Sequence, residues 1–176
     1  MLKELDESYL QIVLNWRNHP KVRRSMTSMN LISLDEHIAW FERYQKNEKD
    51  KWFIFFPKKD TPEGVVYFKN ISQKNNDATW GFYKNPEAKK GTGLKMSLEA
   101  LDWAFDKLKL TQINSYIRIS NIQSINMHKT LGFVEISESA DACFMDVNHE
   151  DMLFMSLEKQ NWIMAKGFVT KIIKNL

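Results

Sequence analysis

The chain has one cysteine, Cys143. A single thiol excludes an intrachain disulfide and supplies no cysteine cluster for zinc. No apolar run reaches the length of a membrane span, and the first residues turn acidic and amphipathic without the apolar core of a secretory signal. Linkers, repeats and low-complexity tracts are absent from the 176 residues. Charge of one sign is also scarce. A formal charge of +3 suits a protein that meets an anionic small molecule and demands neither nucleic acid nor a membrane. The expectation is a cytoplasmic protein with no metal, no nucleic-acid partner and no membrane partner. At 43% hydrophobic and 27% charged residues, the composition is that of one globular domain able to bury its own core.

Periodicity supplies the elements. Leu10, Val13, Leu14 and Arg17 keep helical spacing and predict a helix over 7–18, ended by Asn18-His19-Pro20. Ser33 reads as the N-cap of a second helix that carries Leu34, Ile38 and Phe41 on one face. Strands are expected over 52–56, 64–70 and 78–83. Leu94, Leu98, Leu101, Phe105 and Leu108 mark a long central helix. An alternating strand over 113–119, a short helix over 122–131 and strands over 133–137 and 152–157 complete the order. Helices, then antiparallel strands, then β-α-β-α-β-β make an α/β or α+β sheet of mixed strand directions.

The strand Thr79-Trp80-Gly81-Phe82-Tyr83 leads into Lys89-Lys90-Gly91-Thr92-Gly93-Leu94 and then the central helix. Glycines at a helix N-terminus let backbone N–H groups crowd into a concave nest, and the helix dipole favours an anion there. Lys89, Lys90 and Lys95 add positive charge, so the loop reads as a phosphate or pyrophosphate site; a tight turn is the other reading. Leu94-Lys95 after the last glycine does not fit a Walker A loop, and Met96 stands where a dinucleotide fingerprint needs its third glycine.

A second segment reads Asn121-Ile122-Gln123-Ser124-Ile125-Asn126-Met127-His128-Lys129-Thr130-Leu131-Gly132-Phe133. Together the two segments resemble the GNAT N-acetyltransferases: a strand and glycine loop for acetyl-CoA, then an Asn and a helix that ends in Gly-Phe. The loop's first family position falls on Ala88, with Lys89 beside it. A narrower resemblance, to the acetyltransferases of pseudaminic acid biosynthesis, rests on Asn15-Trp16-Arg17-Asn18-His19-Pro20-Lys21-Val22-Arg23, Ile32-Ser33-Leu34-Asp35-Glu36-His37, Trp80-Gly81-Phe82-Tyr83 and Leu157-Glu158-Lys159-Gln160-Asn161-Trp162. The resemblance implies a mixed, mostly antiparallel sheet flanked by helices, with acetyl-CoA at the strand–loop–helix of 79–107. It implies acetylation of the 4-amino group of UDP-4-amino-4,6-dideoxy-N-acetyl-β-L-altrosamine, and a homodimer as the family-level assembly. It covers 1–162 as one domain and leaves 163–176 as an extension of unassigned role.

The resemblance also assigns residues. Gly81, Phe82, Tyr83, Lys89, Lys90, Gly91, Thr92, Gly93, Leu94, Asn121 and Ser124 would hold acetyl-CoA, with a bulge near Gly81-Phe82-Tyr83 freeing backbone groups for the pantetheine arm. A plain strand whose glycine permits close packing is the alternative, and Asn121 also reads as a helix N-cap. His128 is the proposed acid, on the assumption of an ordinary imidazole pKa near ~6.5; a helix histidine bonded to a carbonyl is the competing reading. Tyr83 or Tyr116 could replace it as donor, and no carboxylate stands out as base. Arg17 and His37 would meet the sugar nucleotide, with Met26, Trp40 and Lys69 completing the pocket. Against that, Arg17 reads as a helix cap, His37 as exposed, Met26 and Trp40 as core, and Lys69 as solvated. Two other functions share the cofactor site: a protein, ribosomal N-terminal or polyamine acetyltransferase, and a non-catalytic CoA-binding module.

Overall fold

The computed structural model describes residues 1–136 and 151–176, so Cys143, His149 and the expected strand end at Ser137 lie outside the described residues. Among the described residues seven strands form one sheet: β1 (Leu2–Glu4), β2 (Lys51–Phe55), β3 (Gly64–Ser72), β4 (Asp77–Lys84), β5 (Gln112–Arg118), β6 (Val134–Glu135) and β7 (Met152–Glu158). Their spatial order is β1-β2-β3-β4-β5-β7-β6. Every neighbouring pair is antiparallel except β4 and β5. A parallel pair needs a crossover, and α4 (Thr92–Asp106) supplies it.

Both faces of the sheet are covered. Phe53 and Phe55 of β2, Val66 and Phe68 of β3 and Trp80 of β4 lie under α4, where Met96, Ala100, Leu101, Ala104 and Phe105 are buried. The alternate residues Trp52, Ile54, Val65 and Tyr83 face α1 (Leu10–Asn18), α2 (Pro20–Arg23) and α3 (Leu34–Gln45). Successive side chains of a strand point to opposite faces, so a strand covered on both reads as the unbroken apolar run of 52–56. α3 opens with a capping box: Glu36 N–H donates to Ser33 Oγ at 3.2 Å, and Ser33 N–H donates to the Glu36 carboxylate at 2.7 Å.

The site depends on how β4 and β5 part. They pair only from Asp77 to Thr79 against Gln112 to Asn114. β5 then stays with β7 as far as Arg118, while β4 stays with β3 as far as Lys84. Among the described residues no strand neighbours the β4 edge from Trp80 onward, and a V-shaped cleft opens there. The expected bulge at Gly81-Phe82-Tyr83 is corrected: the β3–β4 register runs unbroken from Thr79 to Lys84, and the only shift lies between Lys69 and Ser72. Divergence of two strands, rather than an extra residue in one, exposes the backbone.

Other differences have local causes. β1 is a short edge strand with two of its three residues exposed, too short to show a period. The expected helix over 7–18 divides into a 3-10 turn at Glu7–Tyr9 and α1. Pro20, at the first position of a helical turn, starts α2 with His19 as its cap. α5 (Ile122–Thr130) follows expectation, with Ser124 N–H donating to Asn121 Oδ1 at 3.1 Å. α6 (Lys159–Lys174) runs without a break past Trp162. Trp162 Nε1 donates to Asp102 of α4 at 3.0 Å, Lys166 pairs with the same carboxylate at 2.8 Å, and Val169 is fully buried. The segment after 162 is thus the second half of a helix that packs on α4.

Candidate active site

The glycine loop ends at Gly91, the N-cap of α4, whose φ of 88° lies in the left-handed region that favours glycine. The amides of Gly93 and Leu94 donate to no protein group among the described residues. A Cβ added to Gly93 would meet nothing closer than Met127 Sδ of α5 at 3.5 Å. Free amides, an open approach and a left-handed cap fit a pyrophosphate, so these residues suit the CoA cosubstrate. Lys89 and Lys90 are exposed at the rim. Thr92 is placed otherwise than expected: its hydroxyl donates to Glu63 Oε2 at 2.9 Å and its amide to Lys89 O at 3.2 Å, so both donors are committed within the protein. Leu94 contributes its amide, because its side chain is buried in the core.

His128 sits in the floor of the β4–β5 cleft, 2% exposed. Its ring lies 4.8–5.7 Å from the rings of Trp80, Phe82 and Phe133. Nδ1 is 2.8 Å from the Ser124 carbonyl, which can only accept, so the ring proton is on Nδ1. Nε2, 2.9 Å from Ser115 Oγ, then accepts from that hydroxyl. Burial pushes the imidazole pKa down to about 4, opposed only in part by the Ser124 bond. The expectation of an ordinary imidazole is therefore corrected: at neutral pH this ring is uncharged, sealed and fully bonded.

On the opposite face a row of rings runs from α3 to β3. His37 stacks on Trp40 at 5.1 Å, Trp40 meets Trp52 edge-on at 4.7 Å, and Trp52 stacks on Tyr67 at 4.2 Å. Lys69 Nζ lies 5.6 Å from the Trp52 and Tyr67 ring centres, so its ammonium rests on the row. Tyr67 lies across Gly81, its partner in the β3–β4 register, and a Cβ there would collide with the Tyr67 hydroxyl and Cζ. Close approach, not a bulge, is what the glycine permits. Arg17 and Tyr83 stand at the Tyr67 end. Burial lowers the Arg17 pKa, and the Tyr83 and Tyr67 phenols oppose that shift. Burial raises both phenols, with Arg17 pulling them back. Three nitrogens here are buried without a partner among the described residues: Arg17 Nη1, His37 Nε2 and Trp52 Nε1.

A family model described as an acetyltransferase (GNAT) domain matches residues 1–134. The chain belongs to the GNAT acetyltransferase family. It is an N-acetyltransferase that uses acetyl-CoA. The acetyltransferase PseH of Campylobacter jejuni is 26% identical over 138 residues, covering 78% of this chain and 85% of that protein. The crystal structure of Vibrio cholerae spermidine N-acetyltransferase with CoA and spermine superposes with a TM-score of 0.81 at 20% identity, over 93% of this chain and 97% of that one. The crystal structure of C. jejuni PseH superposes with a TM-score of 0.68 at 20% identity, over 90% and 97%. At such identities the superpositions establish the fold alone.

In this acetyltransferase the assigned residues fall into two groups separated by the sheet. Gly91, Gly93 and Leu94 form the loop at the start of α4, and Asn121 and Ser124 lie at the start of α5. Arg17, His37, Met26, Trp40 and Lys69 gather on the opposite face, where Met26 and Trp40 are half-buried beside the core. Arg17 does not cap α1: its Nη2 donates to Ser28 O at 2.7 Å. His37 is buried rather than exposed, and a bond to the Leu10 backbone partly offsets the lowering of its pKa by burial. The sequence pattern marks Trp52 and Tyr67 only as strand residues. A signal existed, since Lys69 is two residues beyond Tyr67 and therefore shares its face.

Proposed function

We propose that this acetyltransferase acylates the 4-amino group of UDP-4-amino-4,6-dideoxy-N-acetyl-β-L-altrosamine, the acceptor of the pseudaminic acid pathway. The observation that carries the reading is Arg17 Nη1, a buried guanidinium nitrogen with no partner among the described residues, beside the ring row. A cation held so far from water favours an anionic ligand, and a planar fork suits a diphosphate. Trp40, half-buried at the row, suits contact with the hydrophobic face of a deoxysugar. A polyamine would bring its positive charges to Arg17 and Lys69, and Glu4, which accepts from the hydroxyl of Tyr44 beside Trp40, already lies 3.6 Å from Lys51. The likeness to the PseH acetyltransferases is in keeping with that pathway.

Acetyl-CoA supplies a thioester that an uncharged amine attacks. The protein's part is orientation: loop amides for the pyrophosphate, the open β4 edge for the arm, and Arg17 with the ring row for the acceptor. Neutral, sealed His128 supports the floor of the cleft instead of giving a proton. Tyr83, whose phenol burial keeps protonated, is the proposed proton donor. The homodimer belongs to the same proposal, checked by sedimentation.

Release of CoA thiol is measured with the UDP-4-amino sugar, spermidine and an N-terminal peptide as rival acceptors. Turnover with the sugar nucleotide alone supports the reading; turnover with spermidine or peptide alone overturns the acceptor and leaves the family intact. Arg17→Ala is expected to raise the sugar-nucleotide KM about tenfold or more, the loss of a charged hydrogen bond, with the acetyl-CoA KM within about twofold.

A further inference from the structure

Arg118, the last residue of β5, takes no part in the reading above, yet it makes two of the longest-range side-chain bonds in the molecule. Its Nε donates to Met26 O at 2.8 Å and its Nη2 to Thr27 O at 2.7 Å, across 92 and 91 residues of chain. The next carbonyl, Ser28 O, is taken by Arg17 Nη2 at 2.7 Å. Three consecutive carbonyls are therefore gripped by two guanidinium groups. The two come from opposite sides of the cleft. Arg118 ends β5, four residues beyond Asn114, where the strands part; Arg17 sits with Tyr83, four residues beyond Thr79 on β4. Further along, Asn18 clasps Ile32 both ways, Nδ2 to Ile32 O at 2.7 Å and Ile32 N to Oδ1 at 2.9 Å. The stretch between α2 and α3 has no regular backbone ladder of its own, so these side chains set its position.

We propose that Arg118 is a positioning residue for the acceptor: it holds Met26–Ser28 as a bridge across the mouth of the β4–β5 cleft. The bridge roofs the place where the acetyl donor and the acceptor meet, and it fixes how Met26 lines the acceptor side. The proposal rests on the acceptor lying on the Arg17–Tyr67 face. Both grips are on main-chain carbonyls; the Thr27 and Ser28 side chains are exposed, while Met26 is half-buried against the core on the Arg17 face. A bridge fixed at one lip only would still cover the cleft but would not hold its register. Loss of Arg118 should therefore blur acceptor placement and leave the glycine loop, at the start of α4, as it is.

The test compares Arg118→Ala and Arg118→Lys with the parent protein. For Arg118→Ala, kcat/KM for the acceptor should fall about tenfold while that for acetyl-CoA, measured at a fixed saturating acceptor, stays within about twofold. Arg118→Lys, which can satisfy one of the two carbonyls, should recover part of the loss. Exchange of the Met26 amide, bonded to Arg23 O at 3.1 Å, and of the Ile32 amide, bonded to Asn18 Oδ1 at 2.9 Å, should quicken in the alanine variant without any ligand. Parallel losses for both substrates, or an unchanged acceptor term despite quickened exchange, would overturn the proposal. If the parent protein acetylates spermidine or a peptide instead of the sugar nucleotide, the same split is read with that acceptor. The acceptor assignment would then fail, and the bridge would be judged by its own ratio.

Discussion

The Nδ1 proton of His128 is spent on the Ser124 carbonyl, and its Nε2 lone pair on the Ser115 hydroxyl. Such a ring ties α5 to β5 and has no proton to lend, which makes its pH behaviour a stability matter. The unfolded imidazole titrates near ~6.5; the folded one titrates at about 4. Between those values the unfolded chain binds a proton that the native one refuses, so stability falls as pH drops from about 7 towards 4, by up to about 3 kcal/mol. Urea unfolding at several pH values checks this. His128→Gln should lower stability at pH 7.5 and also flatten the dependence below pH 6.5; an equally steep curve in the variant would assign the slope to another group. Gly81 gives a second test at this scale. Gly81→Ala drives a methyl into Tyr67, and the expected outcome is loss of acceptor turnover while acetyl-CoA affinity, read by calorimetry, changes little.

The element proposed to carry the cofactor is α4, and its amphipathic spacing was plain from Leu94, Leu98, Leu101 and Phe105. Less plain was what its first turn does with its polar groups, because Thr92 is drawn to Glu63 from the turn before β3. That partner is 29 residues away and leaves no local pattern. Gly91→Ala must adopt the left-handed cap with a Cβ, at a cost of about 1–2 kcal/mol, and that Cβ would lie 2.7 Å from Leu176 Cδ1. The expected result is weaker acetyl-CoA binding by several-fold, measured by calorimetry, with the acceptor KM little changed. At α3 the capping box was half legible, since Ser33 and Glu36 stand three apart; Ser33→Ala should cost about 1 kcal/mol in thermal or urea unfolding.

At the scale of the whole molecule, α6 closes the α4 face, and its inner side is set by Trp162, Val169, Ile172 and Ile173. Val169→Ala, at a position with no exposure, should cost about 1–2 kcal/mol in urea unfolding, with the acetyl-CoA KM unchanged; no loss of stability would mean that the second half of α6 does not belong to the cooperative core. The residues after 162 looked like an extension because the matched signature stops there, although the apolar spacing within them is that of a packed helix. The sequence by itself determined the main helices, the strands of the central sheet, the glycine loop and the family, since each rests on near-neighbour periodicity or on a short motif. Only the tertiary structure decided that β4 and β5 part after three residue pairs, that His128 is buried and uncharged, and that Arg17 and Arg118 grip one loop from two sides. Those outcomes depend on contacts between residues far apart in the chain, where burial and partner geometry, rather than residue type, set charge state and role.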